Sequence, residues 1–264
     1  KRYNGMMSGR QNVFAVANQK GGTGKTTVSV NLAVCLAELH DKKVLIIDMD
    51  AQSHSTIHLG FKPHELKRTV ANILFDGEKI ENIIMKSKVK NLFIAPSNIN
   101  LAGTDLKLAD VIGRETLLRE AVKNIKNEFD FIFMDCPPSL GLLTVNSLTA
   151  ADWVLIPVQT QFFALEGLSK LLNTIQVIKE RLNPSLEIFG IIANMFDSRR
   201  KICHDVVNSL KERFGDKLFS TMIRDTVRIV EAPSFGVSVL HHDPRSSGAE
   251  DFKLLADEFL RRLG

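Results

Sequence analysis

Short apolar runs alternate with longer amphipathic segments along most of the chain. The apolar runs are rich in β-branched and aromatic residues, which is typical of buried strands. They cover residues 13–17, 44–47, 92–95, 131–134, 154–158 and 188–193. Apolar residues at three- and four-residue spacing predict helices over residues 25–39 and 165–182. This alternation predicts an α/β fold, a doubly wound and mostly parallel sheet with helices on both faces, whose ligand sites lie at the carboxyl ends of the strands.

The composition is that of an ordinary globular protein, with 44% hydrophobic and 24% charged residues among 264. Because no stretch rich in proline, glycine or serine divides the chain, we expect a single domain over residues 12–264. Residues 1–11 lack the apolar stretch of a secretory signal and are expected to be a disordered leader or remnant. No apolar run reaches the roughly 18 residues that a membrane helix needs, so no membrane association and a cytoplasmic location are expected.

The three cysteines are odd in number and lack C-x-x-C spacing. They are Cys35, Cys136 and Cys203. This pattern favours reduced, buried thiols over a disulfide framework or a zinc site.

The segment between the first predicted strand and helix combines three glycines with two lysines. Residues 20–27 read K-G-G-T-G-K-T-T. Small residues allow backbone N–H groups to surround a phosphate, Lys25 supplies a positive charge, and the Thr26 hydroxyl can ligate Mg²⁺. The positive end of the helix dipole adds to this attraction. The strict P-loop pattern is not met, because Gln19 replaces its first glycine and Lys20 adds a second lysine.

Carboxylates follow two of the predicted strands. Asp48 and Asp50 come at the end of the second strand, where alternation predicts that they share one face. Asp135 follows the strand at residues 131–134, in the apolar-run-then-aspartate form of a Walker B element. Such an aspartate can hold Mg²⁺, usually through water.

Residues 197–230 contain eight basic and five acidic side chains, a charge of +3 in a chain whose net charge is +4. Most of the excess positive charge therefore lies in this stretch. On charge alone, a solvated surface is the ordinary explanation of such a cluster.

Taken together, these motifs resemble those of one family of P-loop ATPases. Residues 20–26 resemble the deviant Walker A motif of the ParA/MinD family, and the D-M-D-A-Q-S segment at 48–53 is similar to its D-x-D-P-Q segment. D-C-P-P-S at 135–139, I-P-V-Q at 156–159 and the segments at 195–199, 227–228, 231–236 and 242–250 resemble the small ParA subgroup. The resemblance covers residues 12–264.

The resemblance implies a role for each matching position. Nucleotide binding falls to Lys20, Gly21, Gly22, Thr23, Gly24, Lys25, Thr26, Thr27 and Asn194. Catalysis falls to Lys20, Lys25 and Asp50, with Lys20 contacting the partner's nucleotide and Asp50 orienting the attacking water. Thr26, Asp48 and Asp135 support the metal. Arg199 and Arg228 match family positions that contact DNA, and Arg200, Lys201 and Arg224 are candidate DNA contacts because they lie beside them in the basic stretch.

The implied activity is slow, ATP- and Mg²⁺-dependent hydrolysis in a DNA-partitioning ATPase that serves a plasmid or a chromosome. The resemblance implies a nucleotide-sandwich homodimer that binds non-specific double-stranded DNA at the nucleoid and is released when a ParB-like protein stimulates hydrolysis. Two positions depart from the family pattern: Arg224-Asp225-Thr226 replaces proline-arginine-asparagine beside the base, and Ala51 replaces a proline after Asp50. The first departure leaves base selectivity open.

Three alternatives remain open from the sequence. A MinD-like ATPase that cycles on membranes shares the loop, and the amphipathic segment at residues 251–263 raises that possibility. An iron–sulfur protein related to the nitrogenase iron protein shares it too, but needs paired cysteines, and Cys136 has no evident partner. An interaction module with a degenerate nucleotide site is the third.

Overall fold

The computed structural model describes residues 11–161 and 164–264; the expected leader, up to residue 10, lies outside the described residues. The strands of the described chain are β1 (Val13–Val16), β2 (Val44–Asp48), β3 (Met85–Lys86), β4 (Leu92–Ala95), β5 (Phe131–Asp135), β6 (Trp153–Gln159) and β7 (Glu187–Asn194). They form one sheet in the order β3-β4-β2-β5-β1-β6-β7. Only β3 is antiparallel to its neighbour within this sheet of described residues.

Helices connect most of the strands. The α-helices are α1 (Lys25–Leu39), α2 (His54–His58), α3 (Val70–Asp76), α4 (Thr104–Lys107), α5 (Leu117–Ile125), α6 (Leu142–Ala150), α7 (Ala164–Arg181), α8 (Lys201–Phe214), α9 (Val227–Glu231), α10 (Val239–His242) and α11 (Ser247–Leu263). Short 3₁₀ turns lie at Pro63–Glu65, Ile80–Asn82, Ile99–Leu101, Lys126–Glu128, Gly215–Lys217 and Ala232–Phe235.

Both faces of the sheet are buried, which explains why its strands are continuous apolar runs. Along β1, Val13 and Ala15 pack into one hydrophobic cluster, whereas Phe14 and Val16 pack into the other. The first cluster includes apolar side chains of α3, α5, α6 and α7, and the second includes those of α1 and α11. The doubly wound, mostly parallel fold that the sequence predicts is therefore confirmed.

An aromatic cluster fastens the C-terminal helix α11 to the sheet. The Phe259 ring lies 5.0 Å from the Phe14 ring and 5.3 Å from the Phe131 ring between centroids. Phe189 on β7 lies 5.0 Å from Phe259 as well. Because Phe259 is fully buried, the apolar face of α11 belongs to the core of the domain. Within the described residues, no helix is long and apolar enough to cross a bilayer.

Two details of the strands differ from the sequence-based prediction. β3 was not predicted, because its two residues are not buried and carry no apolar pattern. Polar residues extend the other strands: β2 ends at Asp48 and β5 at Asp135. Since Asp50 lies beyond the end of β2, strand alternation does not determine where its side chain points, and that part of the argument from sequence was wrong.

Candidate functional site

The loop between β1 and α1 has the backbone of a phosphate-binding loop. Gly22 and Gly24 have φ angles of 73° and 83°, in the left-handed region that disfavours side chains. A Cβ atom on Gly24 would lie 2.0 Å from Nδ2 of Asn194. That amide, at the end of β7, donates to the carbonyl oxygen of Thr23 at 2.8 Å. Asn194, predicted as a nucleotide-binding residue, therefore packs against the loop, and the packing leaves no room for a side chain at Gly24.

Lys25 begins helix α1, and its side chain turns back over the loop. It is only 7% exposed, and its Nζ atom donates to the carbonyl oxygen of Lys20 at 3.4 Å. Burial lowers the pKa of Lys25, and the nearby carboxylate of Asp135 opposes that shift. An anion in the loop would stabilise the charged form. The N–H groups at the start of α1 offer further donors to the same anion.

Lys20 lies at the beginning of the loop and is half-buried. Its backbone N–H donates to Oδ1 of Asn18 at 3.1 Å, and Nδ2 of Asn18 donates to the carbonyl oxygen of Pro157 on β6 at 2.8 Å. Asn18 therefore fixes the backbone from which the second lysine extends. The next two residues, Gly21 and Gly22, are exposed.

Asp135 lies at the centre of the site, where three hydroxyl groups donate to it. Thr26 Oγ1 lies 2.6 Å and Ser55 Oγ 2.8 Å from its Oδ2 atom, and Ser29 Oγ lies 3.5 Å from Oδ1. Burial raises the pKa of Asp135, against the effect of its hydrogen bonds with Thr26 and Ser55. Two of the three predicted metal-supporting residues, Thr26 and Asp135, are thus in direct contact.

Asp48 is the neighbour of Asp135 across the β2–β5 pair, and it is fully buried. Its Oδ2 atom accepts the backbone N–H of Thr56 at 2.9 Å and the Thr56 hydroxyl at 2.7 Å, and its Oδ1 atom accepts the N–H of Asp50 at 3.2 Å. Burial, together with the charge of Asp135, raises the pKa of Asp48 to about 7. A divalent cation nearby would favour the ionised form of both carboxylates.

The donor set is that of a Mg²⁺ site completed by a nucleotide. A hydroxyl and one or two carboxylates are the usual protein ligands of Mg²⁺, and phosphate oxygens and water provide the rest. Consistent with this, no group of three or more histidine, cysteine or acidic residues in the described chain could hold a metal alone. Thr26 and Asp135 fit this role, while Asp48 directs its oxygens towards Thr56 and Asp50.

Asp50 lies in the turn after β2 and is half-buried. Its Oδ1 atom accepts the backbone N–H of Gln52 at 2.9 Å. Its carbonyl oxygen accepts the hydroxyl of Ser97, which follows β4, and the backbone N–H of Ser53. The backbone carbonyl group of Asp50, the predicted catalytic residue, is therefore held by hydrogen bonds from two residues.

A cavity of about 220 Å³ opens beside Thr27 and Asn194 and could hold a nucleotide base. Its other lining residues are Met195, Arg224, Asp225, Thr226, Ile229, Val230 and Pro233. It combines apolar walls with a few polar groups, as ligand pockets do. The segment 224–226, which departs from the family pattern, forms part of this wall.

The five candidate DNA-binding residues differ in how they are held. Arg199 is 86% exposed and pairs with Asp197 at 2.9 Å, and Arg200 pairs with the same carboxylate at 3.1 Å. Lys201 is exposed at the start of α8.

The other two candidates belong to networks with several carboxylates. Arg228 pairs with Glu231 at 3.0 Å and Asp243 at 3.3 Å. Arg224 is 44% exposed and donates from Nε and Nη2 to the buried carboxylate of Asp251. Hydrogen bonds to Asp251 raise the pKa of Arg224 further above its usual value. Arg224 thus anchors α11, whereas Arg199, Arg200 and Lys201 reach into solvent.

The three cysteines are buried and unpaired by disulfides. The Cys136 thiol, directly after Asp135, donates to the carbonyl oxygen of Met134, and burial raises its pKa to about 12. Burial likewise raises the pKa of Cys35 to about 12. These are properties of inert core thiols.

Reasoning from the sequence missed the hydroxyl groups around the two buried carboxylates. Ser29, the adjacent pair Ser55 and Thr56, and Ser97 come from three separate parts of the chain and form no known motif. The only available signal was the polar run S-H-S-T at residues 53–56, three residues after Asp50. This run predicts that the segment, which forms helix α2, faces the site, but it does not predict the partner of each hydroxyl.

The geometry agrees with the comparisons to known proteins. A family model described as an AAA domain matches residues 11–188. The sporulation initiation inhibitor protein Soj of Bacillus subtilis is 45% identical over 93% of this chain and 97% of that protein. The chromosome partitioning protein ParA of Myxococcus xanthus is 40% identical over 95% of this chain and 88% of that protein. The chain belongs to the ParA-type family of partition ATPases.

A solved structure of a ParA-like fold extends the comparison to ligands. Cobyrinic acid a,c-diamide synthase from Mycobacterium smegmatis, solved with bound ADP and magnesium, is 32% identical, with a TM-score of 0.84 over 96% of both chains. The family, the P-loop fold, the ATPase activity and the use of ATP with Mg²⁺ that the sequence predicts are thereby confirmed. The roles of individual residues remain predictions.

Proposed function

We propose that this ParA-type ATPase is a DNA-partitioning switch: ATP joins two copies face to face, the joined form binds DNA without sequence preference, and hydrolysis releases it. The observation that carries the proposal is the glycine-rich loop between β1 and α1, which has one buried lysine, Lys25, and a second, half-buried lysine, Lys20, at its edge. The similarity to Soj and ParA supports partitioning as the task.

The proposed roles follow from chemistry. Lys25 and the amides of residues 21–27 bind the phosphates, Thr26 and Asp135 support Mg²⁺, and the cavity beside Asn194 holds the base. Mg²⁺ bound with the nucleotide neutralises phosphate charge. Asp50 orients the attacking water, and Lys20 contacts the nucleotide of the partner subunit. Phosphoryl transfer depends mainly on such positioning and on charge neutralisation.

Size-exclusion chromatography with ATP, ADP or no nucleotide tests the dimer. The Asp50→Ala variant should double in mass with ATP and Mg²⁺, because hydrolysis no longer dissociates it. Lys20→Ala in the same background should remain monomeric while still binding nucleotide. If the Asp50→Ala protein and the Lys20→Ala/Asp50→Ala protein both stay monomeric with ATP bound, the proposal is contradicted.

The proposed DNA surface combines Arg199, Arg200, Lys201 and Arg228 near the nucleotide end of the sheet. If phosphate contacts provide the affinity, binding should fall steeply with salt and be indifferent to sequence. Arg228→Glu should abolish retention on two unrelated duplexes while leaving the ATP-dependent dimer intact. Lys90→Glu is the matched control, since Lys90 is an exposed lysine next to the amino end of β4. Equal binding by both variants would refute the surface.

Stimulation by a ParB-like protein is the last part of the proposal. An amino-terminal ParB peptide should raise phosphate release by the wild-type protein in the presence of DNA and leave Asp50→Ala inactive. The MinD-like alternative makes a different prediction, namely ATP-dependent sedimentation with liposomes. The buried Phe259 and Phe252 on α11 favour a packed helix over a membrane anchor.

A further inference from the structure

Four residues, among them the two aspartates at the carboxyl end of β2, form a closed ring of hydrogen bonds, here called the Ser97 ring. The backbone N–H of Ser97 donates to Oγ1 of Thr56 at 3.0 Å, and that hydroxyl donates to Oδ2 of Asp48 at 2.7 Å. Oδ1 of Asp48 accepts the N–H of Asp50 at 3.2 Å. The carbonyl oxygen of Asp50 accepts the hydroxyl of Ser97, which closes the ring.

The ring joins three separate pieces of the chain. Ser97 follows β4, Thr56 lies on the short helix α2, and Asp48 is the last residue of β2, with Asp50 in the turn after it. Ser97, Thr56 and Asp48 are fully buried, so water does not compete for the two bonds made by the Thr56 hydroxyl, whereas the two bonds to the Asp50 backbone are partly buried. Buried hydrogen bonds that are all satisfied fix a geometry more strictly than exposed ones. The arrangement restrains both the N–H and the carbonyl group of Asp50.

We propose that Ser97 is a positioning residue for ATP hydrolysis, which holds the backbone of Asp50 through the Ser97 ring so that the Asp50 carboxylate is fixed at the nucleotide site. The proposal rests on the proposed role of Asp50. Ser97 itself lies behind that residue: its hydroxyl contacts the Asp50 carbonyl and, at 3.5 Å, the Ser53 hydroxyl. Its effect on the reaction is therefore transmitted through the turn at residues 50–53.

The phosphate-binding part of the site does not depend on the ring. The loop at residues 20–27 is held by Asn194 and Asn18, and neither residue belongs to the Ser97 ring. Breaking the ring should therefore reduce the rate of hydrolysis and leave nucleotide affinity unchanged. A displacement of about 1 Å in a reacting group can cost roughly a hundredfold in rate, so a loosened turn should cost about tenfold or more.

The test uses four single variants of the full chain and one double variant. Ser97→Ala removes the hydroxyl that closes the ring, and Thr56→Val removes the Thr56 hydroxyl at nearly constant shape. Thr56→Ser is the conservative variant that keeps it. Thr149→Val is the matched control, because the buried Thr149 hydroxyl on α6 has no hydrogen-bond partner among the described residues. For each, kcat, KM, the Kd of a non-hydrolysable ATP analogue with Mg²⁺ and the melting temperature are measured.

We expect kcat to fall about tenfold or more in Ser97→Ala and Thr56→Val, with KM and Kd within about twofold of wild type. Thr56→Ser and Thr149→Val should keep wild-type kcat. Because the ring acts as a unit, the Ser97→Ala/Thr56→Val double variant should lose little more than either single variant.

Two results would overturn the inference. One is wild-type kcat in Ser97→Ala or Thr56→Val while Asp50→Ala is inactive, which leaves the proposed function intact. The other is a fall in kcat in these variants that is accompanied by a comparable loss of nucleotide affinity and by a lower melting temperature. That result would show that the ring only stabilises the fold. Undiminished hydrolysis by Asp50→Ala would instead remove the role of Asp50 from the proposed function.

Discussion

Gly24→Ala is the sharpest test of the phosphate-binding loop, because Gly22 provides a matched control within it. Both glycines have a left-handed φ, 83° and 73°, and an alanine there costs about 1–2 kcal/mol in backbone energy. At Gly22 the added Cβ would meet nothing within 4 Å, whereas at Gly24 it would meet Nδ2 of Asn194 at 2.0 Å. The Gly24 variant must therefore also displace Asn194.

That displacement breaks the Asn194–Thr23 hydrogen bond and leaves a buried carbonyl oxygen unpaired, which costs about 1–3 kcal/mol. We expect Gly24→Ala to lower the free energy of unfolding by roughly 2–5 kcal/mol and Gly22→Ala by about 1–2 kcal/mol. Urea denaturation without nucleotide measures both. In an Asn194→Ala background the clash is absent, so the two alanine variants should cost the same. Equal costs in the wild-type background would refute the proposed contact.

Three further predictions concern charge and packing. The pKa of Asp48 is raised from 3.8 to about 7, so folding favours the protonated form; without Mg²⁺, unfolding free energy should fall by up to about 4 kcal/mol as pH rises from about 4 through 7. Urea titrations should show that Asp48→Asn makes this slope smaller and leaves the part contributed by Asp135, whose pKa burial also raises. Arg224→Ala removes the guanidinium from the buried Asp251 carboxylate, which keeps, among the described residues, only the backbone N–H of residue 224 as a donor, and should lower the free energy of unfolding by about 1–3 kcal/mol. Arg199→Ala should leave the melting temperature unchanged, and equal effects of the two variants would contradict the assignment of Arg224 to α11. Phe259→Ala should lower the free energy of unfolding by about 3–5 kcal/mol, which is measured as a lower melting temperature. An unchanged melting temperature would show that α11 is not part of the core.

The sequence predicted the sheet well, because strands buried on both faces must be apolar throughout. The runs at residues 92–95 and 44–47 match β4 and β2 to within one residue. The phosphate-binding loop could be predicted equally well, because its function needs small residues and a lysine within one short segment. Helix α1 matches its predicted bounds for the same local reason: its apolar spacing begins directly after the loop.

What the sequence could not predict are contacts between residues distant along the chain. Ser97 and Thr56 are 41 positions apart, and Ser55 and Asp135 are 80 apart. Serine and threonine occur everywhere on protein surfaces, so their type alone does not indicate a buried partner. Likewise, the basic stretch marked Arg224 as a DNA contact, and only the fold reveals the Asp251 carboxylate beside it.

Backbone hydrogen bonds cover β4 at one edge of the sheet and β7 at the other in the described chain. On one side the two-residue β3, which contains Lys86, shields β4. On the other, the segment after α8 follows β7: Phe219 and Ile223 donate backbone N–H groups to Ile191 and Ala193. Exposed sheet margins invite neighbouring molecules to add strands and aggregate. Because only two residues of β3 pair with β4 and two backbone N–H groups pair with β7, neither edge of the described sheet offers a long, regular strand to which a second copy could add, which disfavours aggregation by extension of the sheet.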